Sequence, residues 1–417
     1  MRIKYIVLTI IFLFALAGIA VCNWPMKKIE RPPRIVSLRK ETYDIATYEK
    51  LATAWQVYYK AYPSEDAYAN WMYAMYYTEN PKFRMLLKEG VKKFPGSPTL
   101  QSLSGSIVCI YQEPGAGISE MEKAAALDPD YDDPWFGLTV AYLTTGDEAR
   151  SDSALKKLLE LGAVSDEVMD YNYNVLSLLQ PNAILITNGD NDTYPCWILT
   201  RVVKYRSDVT IVNRSLLKAA WYPERLVKEG IPPFVGSETL SRLRKAPSMA
   251  DSNTLSGNYH SLAGDSLILG IIDAAKLAER PVYAAYTVQT TSFLKTLFSN
   301  STHLGLVFLL TPPPGDLDSF RIGILNTWLK DFRTGALDGW RLRNSKPRDS
   351  GRMISRNLAL GLIELYSTLP EDKMQQFQPQ VKNWFERHAA AVCDSTLQAI
   401  IRQYLEAVEH PEKKASR

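Results

Sequence analysis

The spacing of apolar residues changes near Pro181, and that change constrains the fold more than any other feature of the chain. Before it, aromatic and small residues recur at helical intervals: Trp55, Tyr58 and Tyr59 ahead of Pro63, then Trp71, Tyr73, Ala74 and Tyr77 behind it. After it, Ala183-Ile184-Leu185-Ile186-Thr187 is an unbroken apolar run between Pro181 and Gly189, the pattern of a buried strand. A helix-period pattern does not rest as a strand, nor the reverse, so two architectures must share this chain.

In the helical half three prolines mark a beat, at 63, 95 and 129, spaced 32 and 34 residues apart. Ala124, Ala125 and Leu127 precede the third, and Trp135, Gly137, Leu138, Ala141 and Tyr142 follow it, with Leu143-Thr144-Thr145-Gly146 as the turn between paired helices. Small residues let helices approach and aromatics fill the gaps between them. A period near 34 with Pro ending the second helix resembles the tetratricopeptide family, whose stacked helix pairs present a concave surface to another protein. The same pattern also fits helices that merely cover their neighbour.

Beyond Pro181 the order is strand, helix, strand. Thr193 to Tyr205 has helical spacing, with Asp192 or Thr193 as N-cap and Pro195 in the first turn. Val209 to Val212 reads as a second strand, and Trp221 to Lys228 as an amphipathic helix closed by Gly230. Ser266 to Leu277 reads as a helix, Val282 to Val288 and Leu304 to Leu310 as strands, and the Pro-, Ser- and Gly-rich stretch from Ile231 to Gly264 as a long loop. Strand–helix–strand within about 30 residues implies a parallel crossover. Helical periodicity returns at Phe320–Phe332, Met353–Ser367, Gln375–Val392 and Leu397–Val408. The expected fold class is α plus α/β: tetratricopeptide-like repeats over 41–180, a small parallel-sheet α/β domain over 181–315 containing the loop 231–264, and carboxyl-terminal helices over 316–417.

The turn Thr187-Asn188-Gly189-Asp190-Asn191-Asp192-Thr193-Tyr194-Pro195 lies at the carboxyl end of the first strand and opens a helix, where open α/β sheets place ligands. As a phosphate cradle it lacks the glycine spacing and carries two repelling carboxylates. As a calcium loop it is partial: Asn188, Asp190 and Asp192 hold positions 1, 3 and 5, but Thr193 replaces the glycine and Leu199 the bidentate glutamate. As a D-x-D element, Asp190 and Asp192 could hold a divalent ion against a nucleotide-sugar diphosphate. The structural alternative is that Asp192 caps the helix while Asn188 to Asn191 satisfy turn backbone.

Ile186 to Pro195, with Asp208-Val209-Thr210-Ile211-Val212-Asn213-Arg214-Ser215-Leu216-Leu217 and Trp221-Tyr222, resembles the soluble carboxyl-terminal part of a bacterial membrane family. That family joins a multispanning, protein O-mannosyltransferase-like half to a soluble region with tetratricopeptide-like helices. Arg280-Pro281-Val282-Tyr283, Gly305-Leu306, Thr311-Pro312, Arg352-Met353 and Asn357 extend the likeness over roughly 180–370. The resemblance adds Asn213, Trp221 and Tyr222 to the turn residues Asn188, Gly189, Asp190, Asn191, Asp192 and Thr193 as candidate ligand contacts. This chain has no multispanning half, has Ala219-Ala220 before the Trp-Tyr pair, and has Leu304 and Leu309 where the family tends to carry charge. The resemblance therefore implies an accessory or scaffold module of envelope assembly or protein glycosylation. A metal-dependent, glycosyltransferase-like enzyme built on Asp190 and Asp192 is the rival reading.

The first 22 residues read as an address, a signal peptide or a membrane anchor. Arg2 and Lys4 precede an apolar run from Tyr5 to Val21, and its 17 residues span roughly 26 Å against a hydrocarbon core of ~30 Å. Ile19-Ala20-Val21-Cys22 resembles a lipoprotein signal with Cys22 as the lipidated residue, although Val21 stands where a small residue is usual. The basic, Pro-containing linker over 23–40, with Lys27, Lys28, Arg31, Arg34, Arg39 and Lys40, instead favours the cytoplasmic side by the positive-inside rule. Lipoprotein, uncleaved anchor and simple secretion thus stay open, and the first two tether a soluble body to a membrane on its periplasmic or cell-surface side. A net charge of +3 argues against nucleic acid as a partner. The cluster Arg341, Arg343, Lys346, Arg348, Arg352 and Arg356 could meet an anionic glycan or lipid.

Catalytic signals are sparse. Four His (His260, His303, His388, His410) form no H-x-x-x-H pair, and no G-x-S-x-G elbow is present. Cys109, Cys196 and Cys393 show no C-x-x-C spacing; Cys109 and Cys393 read as buried free thiols. No cofactor is implied. The expected function is docking, with a protein partner on the helical repeats.

Overall fold

The computed structural model describes residues 29–78, 80–109, 113–245, 257–289, 291–339 and 349–409. Cys22 and the basic stretch with Arg341, Arg343, Lys346 and Arg348 lie outside the described residues. The described residues divide into two compact units, one comprising 29–35 and 45–78, the other 36–44 and those from 80 to 409. The structure is mostly helical with a small five-stranded sheet, an α plus α/β fold. No helix among the described residues is long and apolar enough to cross a membrane.

In the first unit, helices α1 (Ile45–Ala61) and α2 (Glu65–Tyr76) are joined through Pro63. Ser64 caps α2 by accepting from the Ala67 N–H at 3.2 Å, and Glu65 and Asp66 complement the positive end of the helix. Trp55 is fully buried and donates its indole N–H to the Pro33 carbonyl at 3.0 Å. Tyr59 packs edge-on against Tyr68, their centroids 5.0 Å apart.

In the second unit, α3 (Phe83–Lys93), α4 (Pro98–Ser106), α5 (Ile118–Leu127), α6 (Asp133–Thr144), α7 (Glu148–Glu160) and α8 (Asp166–Ser177) precede the sheet. Pro95 and Pro129 each fall two residues past a helix end, after α3 and α5, as Pro63 does after α1. The proline beat therefore marks the ends of alternate helices. The small residues act where helices nearly touch. Gly117 enters α5 with φ +79°, and a Cβ there would stand 2.3 Å from the Gly105 carbonyl oxygen of α4. A Cβ at Gly137 of α6 would stand 2.3 Å from Met121 Sδ.

The sheet runs β2 (Thr210–Asn213), β1 (Ile184–Thr187), β3 (Val282–Ala285), β5 (Val307–Leu309), β4 (Thr302–His303). β1 pairs in parallel with β2 (Ile184 opposite Thr210) and with β3 (Ile184 opposite Val282). The β4–β5 hairpin extends this parallel core antiparallel to β3. Ile184, Leu185 and Ile186 are wholly buried, as a central strand covered on both faces requires.

Between strands lie α9 (Asp190–Trp197), continued by a π turn over Ile198–Val202, then α10 (Trp221–Lys228), α11 (Ser237–Lys245), α12 (Gly257–Leu277) and, after β3, α13 (Ser292–Ser299). The expected loop 231–264 thus holds a helix, α11, and the first turns of α12. Its polar composition hid α11, which buries Leu243 and pairs Glu238 with Arg242 one turn apart. Helices α14 (Leu317–Asp331), α15 (Asp349–Ser367), α16 (Glu371–Val392) and α17 (Ser395–Glu409) complete the chain, within a few residues of their sequence periodicity. Cys109 and Cys196 are buried free thiols, and Cys393 is a half-buried one. Burial pushes the Cys109 thiol up to about 12, so all three are poor nucleophiles in place.

One arginine fastens the helices to the sheet. Arg206, with φ 51°, donates to the carbonyls of Leu176, Leu179 and Gln180 at 2.7–2.8 Å, closing the end of α8. It also pairs at 2.9 Å with Asp208, which accepts from the Asn182 N–H at 2.9 Å just before β1. These bonds, Arg206 first, lower the Asp208 carboxyl to about 2. A depressed carboxyl contributes stability that is present above its unfolded pKa of ~3.9 and is lost as pH falls toward the folded value. Asp208→Asn is therefore expected to flatten the acid side of the stability–pH curve, read as urea midpoints from near neutrality down toward pH of about 2. Gly117→Ala is expected to lower stability by roughly 2–4 kcal/mol, since it adds a positive-φ strain to a backbone clash. Denaturant melts with an unchanged m-value would show it.

Candidate functional site

The turn after β1 is built around one carboxylate. Asp192 is almost fully buried at the third position of α9. Its Oδ1 accepts from the Gly189 N–H at 2.8 Å, and its Oδ2 from the Asn188 N–H at 2.7 Å and the Thr287 hydroxyl at 2.5 Å. Gly189 is the N-cap, not Asp192 or Thr193 as the residue types suggested. A glycine has no side chain to cap with, so the reciprocal half of a capping box does the work: the third residue reaches back to the backbone N–H of the cap. Burial raises the Asp192 carboxyl above its ordinary value, opposed first by the Thr287 bond and then by the two backbone bonds.

Asp190 points elsewhere. It lies 2.8 Å from Arg39 Nε and is nearly half exposed. The Arg39 guanidinium also sits 4.1 Å over the Phe136 ring and 3.8 Å from Asp133, while Lys40 pairs with Asp132 at 2.6 Å. Two cations expected in a basic linker are thus held by acidic groups of the second unit. The Arg39 carbonyl accepts from the Ser350 hydroxyl at 2.6 Å, which fixes the same segment to α15.

The remaining turn residues bond within the fold. The Asn188 side chain accepts from the Gln289 N–H at 3.2 Å, and its carbonyl from Ser215 at 3.1 Å. The Asn191 carbonyl accepts from Asn172 of α8 at 2.9 Å. Thr193 shares a 2.7 Å hydroxyl bond with Thr187 and accepts from the Asn213 amide at 2.9 Å, all three side chains buried. Tyr222 is fully buried, and its phenol accepts from the Asn213 N–H at 2.9 Å. Burial keeps that phenol well above its ordinary range, a neutral hydroxyl locking the end of β2. Trp221 packs edge-on against Tyr222, their centroids 5.3 Å apart, and lines a cleft of 660 Å³ with Glu148 and Arg225.

The candidate residues Asn188, Gly189, Asn191, Asp192, Thr193, Asn213 and Tyr222 therefore gather at the carboxyl ends of β1 and β2, while Asp190 turns out to Arg39. The two aspartates are not convergent. Among the described residues no group of three or more His, Cys, Asp or Glu is placed to hold a metal ion. Sequence reading missed Arg39, 151 positions before the Asp190 it meets, Asn172, 19 before the Asn191 carbonyl it donates to, and Thr287, 95 after Asp192. Thr287 was assigned to a strand that in fact ends at Ala285, which frees it to turn toward Asp192.

The site thus sits where helix α8 leads into a small α/β sheet, in a polar turn at the carboxyl end of β1. A family model described as TMEM260-associated domain 2 matches residues 168–230, from α8 through the turn and β2 to the end of α10. No curated protein and no solved structure matches the chain.

Replacing Asp192 by Ala leaves two backbone N–H groups and the Thr287 hydroxyl without their acceptor. At about 1–3 kcal/mol for each buried orphan, Asp192→Ala is expected to cost about 3 kcal/mol or more. Asp192→Asn keeps one acceptor oxygen and is expected to cost less. Urea unfolding of both variants orders them; equal, small losses would show that the carboxylate does not hold the turn.

Proposed function

We propose that this chain is a docking module accessory to glycosylation or assembly of exported proteins. It is tethered to the membrane through its amino-terminal apolar segment and Cys22, on the periplasmic or cell-surface side. Its helical repeats act as tetratricopeptide-like pairs that bind a protein partner. The supporting observation is how the turn spends its carboxylates: Asp192 on the backbone and Thr287, Asp190 on Arg39. Groups so engaged position strands and helices. The family-model match at 168–230 supports the glycosylation context.

The helices preceding the three prolines carry exposed apolar side chains, Val57 on α1, Met85 on α3 and Leu127 on α5. The test is affinity capture from native membranes with the tagged full chain, repeated with Val57→Glu, Met85→Glu and Leu127→Glu. A specific partner is expected, with recovery falling about tenfold or more in the variants, as disruption of an interface anchor does. Intact recovery removes the helices as the docking surface. Stoichiometric Mn²⁺ or Ca²⁺ binding that disappears in Asp190→Ala with Asp192→Ala would replace docking by the metal-dependent transferase reading.

A further inference from the structure

Residues 29–35 form no helix or strand, yet within the first unit they lie as a strap along the α1–α2 hairpin. Arg31-Pro32-Pro33 sets their shape. A proline fixes its own φ at about −65° and disfavours helical backbone in the residue before it, so Arg31 and Pro32 are both held extended. Three alternate positions then meet the hairpin. The Arg31 guanidinium reaches Asp66 at 2.8 Å and lies 5.6 Å over the Trp55 ring. The Pro33 carbonyl accepts from the Trp55 indole N–H at 3.0 Å. The Ile35 N–H donates to Asn70 Oδ1 at 2.9 Å, and the Ile35 side chain is buried.

The receiving groups are positioned by the hairpin itself. Asp66 and Asn70 stand one turn apart on α2, and the buried Asn70 amide is aimed by donating to the Asp66 carbonyl at 2.9 Å. Trp55 packs edge-on against Tyr58, their centroids 5.6 Å apart, and Tyr58 lies 5.1 Å from Tyr62. An aromatic ladder thus continues along α1 toward Pro63 and ends on the exposed Tyr62.

This surface selects a particular chemistry. Trp55 presents a donor and Asn70 an acceptor, and buried polar groups need partners. An extended chain satisfies both with its backbone alone, through one carbonyl and the N–H two residues further on. Asp66 adds a preference for a cation two residues ahead of that carbonyl. Prolines suit the position because they bring no N–H to leave unpaired and are already ordered, the basis on which Pro-rich segments dock aromatic-lined grooves. We propose that the α1–α2 hairpin is a receptor for an extended, Arg-Pro-Pro-containing segment of another protein, and that residues 29–35 occupy it in cis as an autoinhibitory strap. Arg31 and Asp66 are each about half exposed, so their pairing is a surface contact of modest strength and the strap can be displaced. A second copy is a poor rival, since exchanged straps remake only the contacts they give up, against a resident strap at an effective concentration on the order of mM. The inference rests on the docking reading and names the chemistry of the partner. It uses none of Val57, Met85 or Leu127, so peptide binding and membrane capture can fail separately.

Fluorescence anisotropy on the full chain tests it, with an end-capped, labelled peptide of residues 29–35 and a control of the same composition whose prolines are separated. Arg31→Glu with Pro32→Gly and Pro33→Gly, all at exposed or half-buried positions, is expected to empty the groove, with circular dichroism confirming the fold. The emptied chain is expected to bind the peptide at least about tenfold more tightly than the unaltered chain, because the strap no longer competes. In the emptied chain, Trp55→Phe and the exposed Asp66→Asn are each expected to weaken binding about fivefold, the loss of one hydrogen bond or one ion pair. The proposal is overturned by a folded, emptied chain that does not bind the peptide, or binds the control equally well. Equal affinity in the emptied and unaltered chains overturns it too, as does affinity that both Trp55→Phe and Asp66→Asn leave unchanged. Dimerisation of the unaltered chain that the strap substitutions abolish would give the groove to a second copy instead.

Discussion

A single buried carboxylate ties together three pieces of chain that meet at the end of the sheet. Asp192 accepts from the backbone at the close of β1, sits in the first turn of α9, and receives the hydroxyl of Thr287 just past β3. An ionised group in that position is costly unless its oxygens are occupied. The surrounding residues supply three donors, and the positive end of α9 adds to them. Remove the carboxylate, and the strand order still stands, but the register between the turn and the β3 end loses its common anchor.

The neighbouring aspartate shows how two identical side chains, two positions apart, come to different uses. Asp190 is on the outer side of the helix start and meets Arg39, whose guanidinium is sandwiched against Phe136. Asp192 faces inward and is consumed by the turn. On a helix, positions two apart do not share a face. A D-x-D pair opening a helix therefore diverges unless the backbone leaves helical geometry. That is the physical reason the two carboxylates do not converge in this fold.

Much of the architecture was legible. The proline beat, the apolar run of β1, the helix at Trp221–Lys228 and the four carboxyl-terminal helices all rest on periodicity, which reports which face of an element is buried. The misreadings have specific causes. α11 is short and polar, and its one buried anchor, Leu243, leaves almost no periodic signal. β3 was drawn too long because Tyr286 and Val288 continue its apolar alternation after the ladder has ended at Ala285. The N-cap of α9 was misplaced because Asp and Thr are the usual capping residues, whereas here glycine takes the position and Asp192 reaches back to it.

By itself, the sequence determined the change from helical array to sheet near Pro181, the strand–helix–strand start of the sheet, and the presence of a polar turn at a strand end; it missed α11, α13 and the antiparallel β4–β5 hairpin that makes the expected parallel sheet a mixed one. The features it determined are local properties, set by side-chain period and by Pro and Gly at turns. The tertiary structure alone decided which groups the turn's carboxylates meet, because Arg39 and Thr287 arrive from 151 positions before Asp190 and 95 after Asp192. It alone also brought together Tyr286, His303 and Glu364, from the turn after β3, from β4 and from α15. Hydrogen bonds and ion pairs act over a few ångströms, and nothing in residue spacing encodes such distances until the chain has folded back on itself.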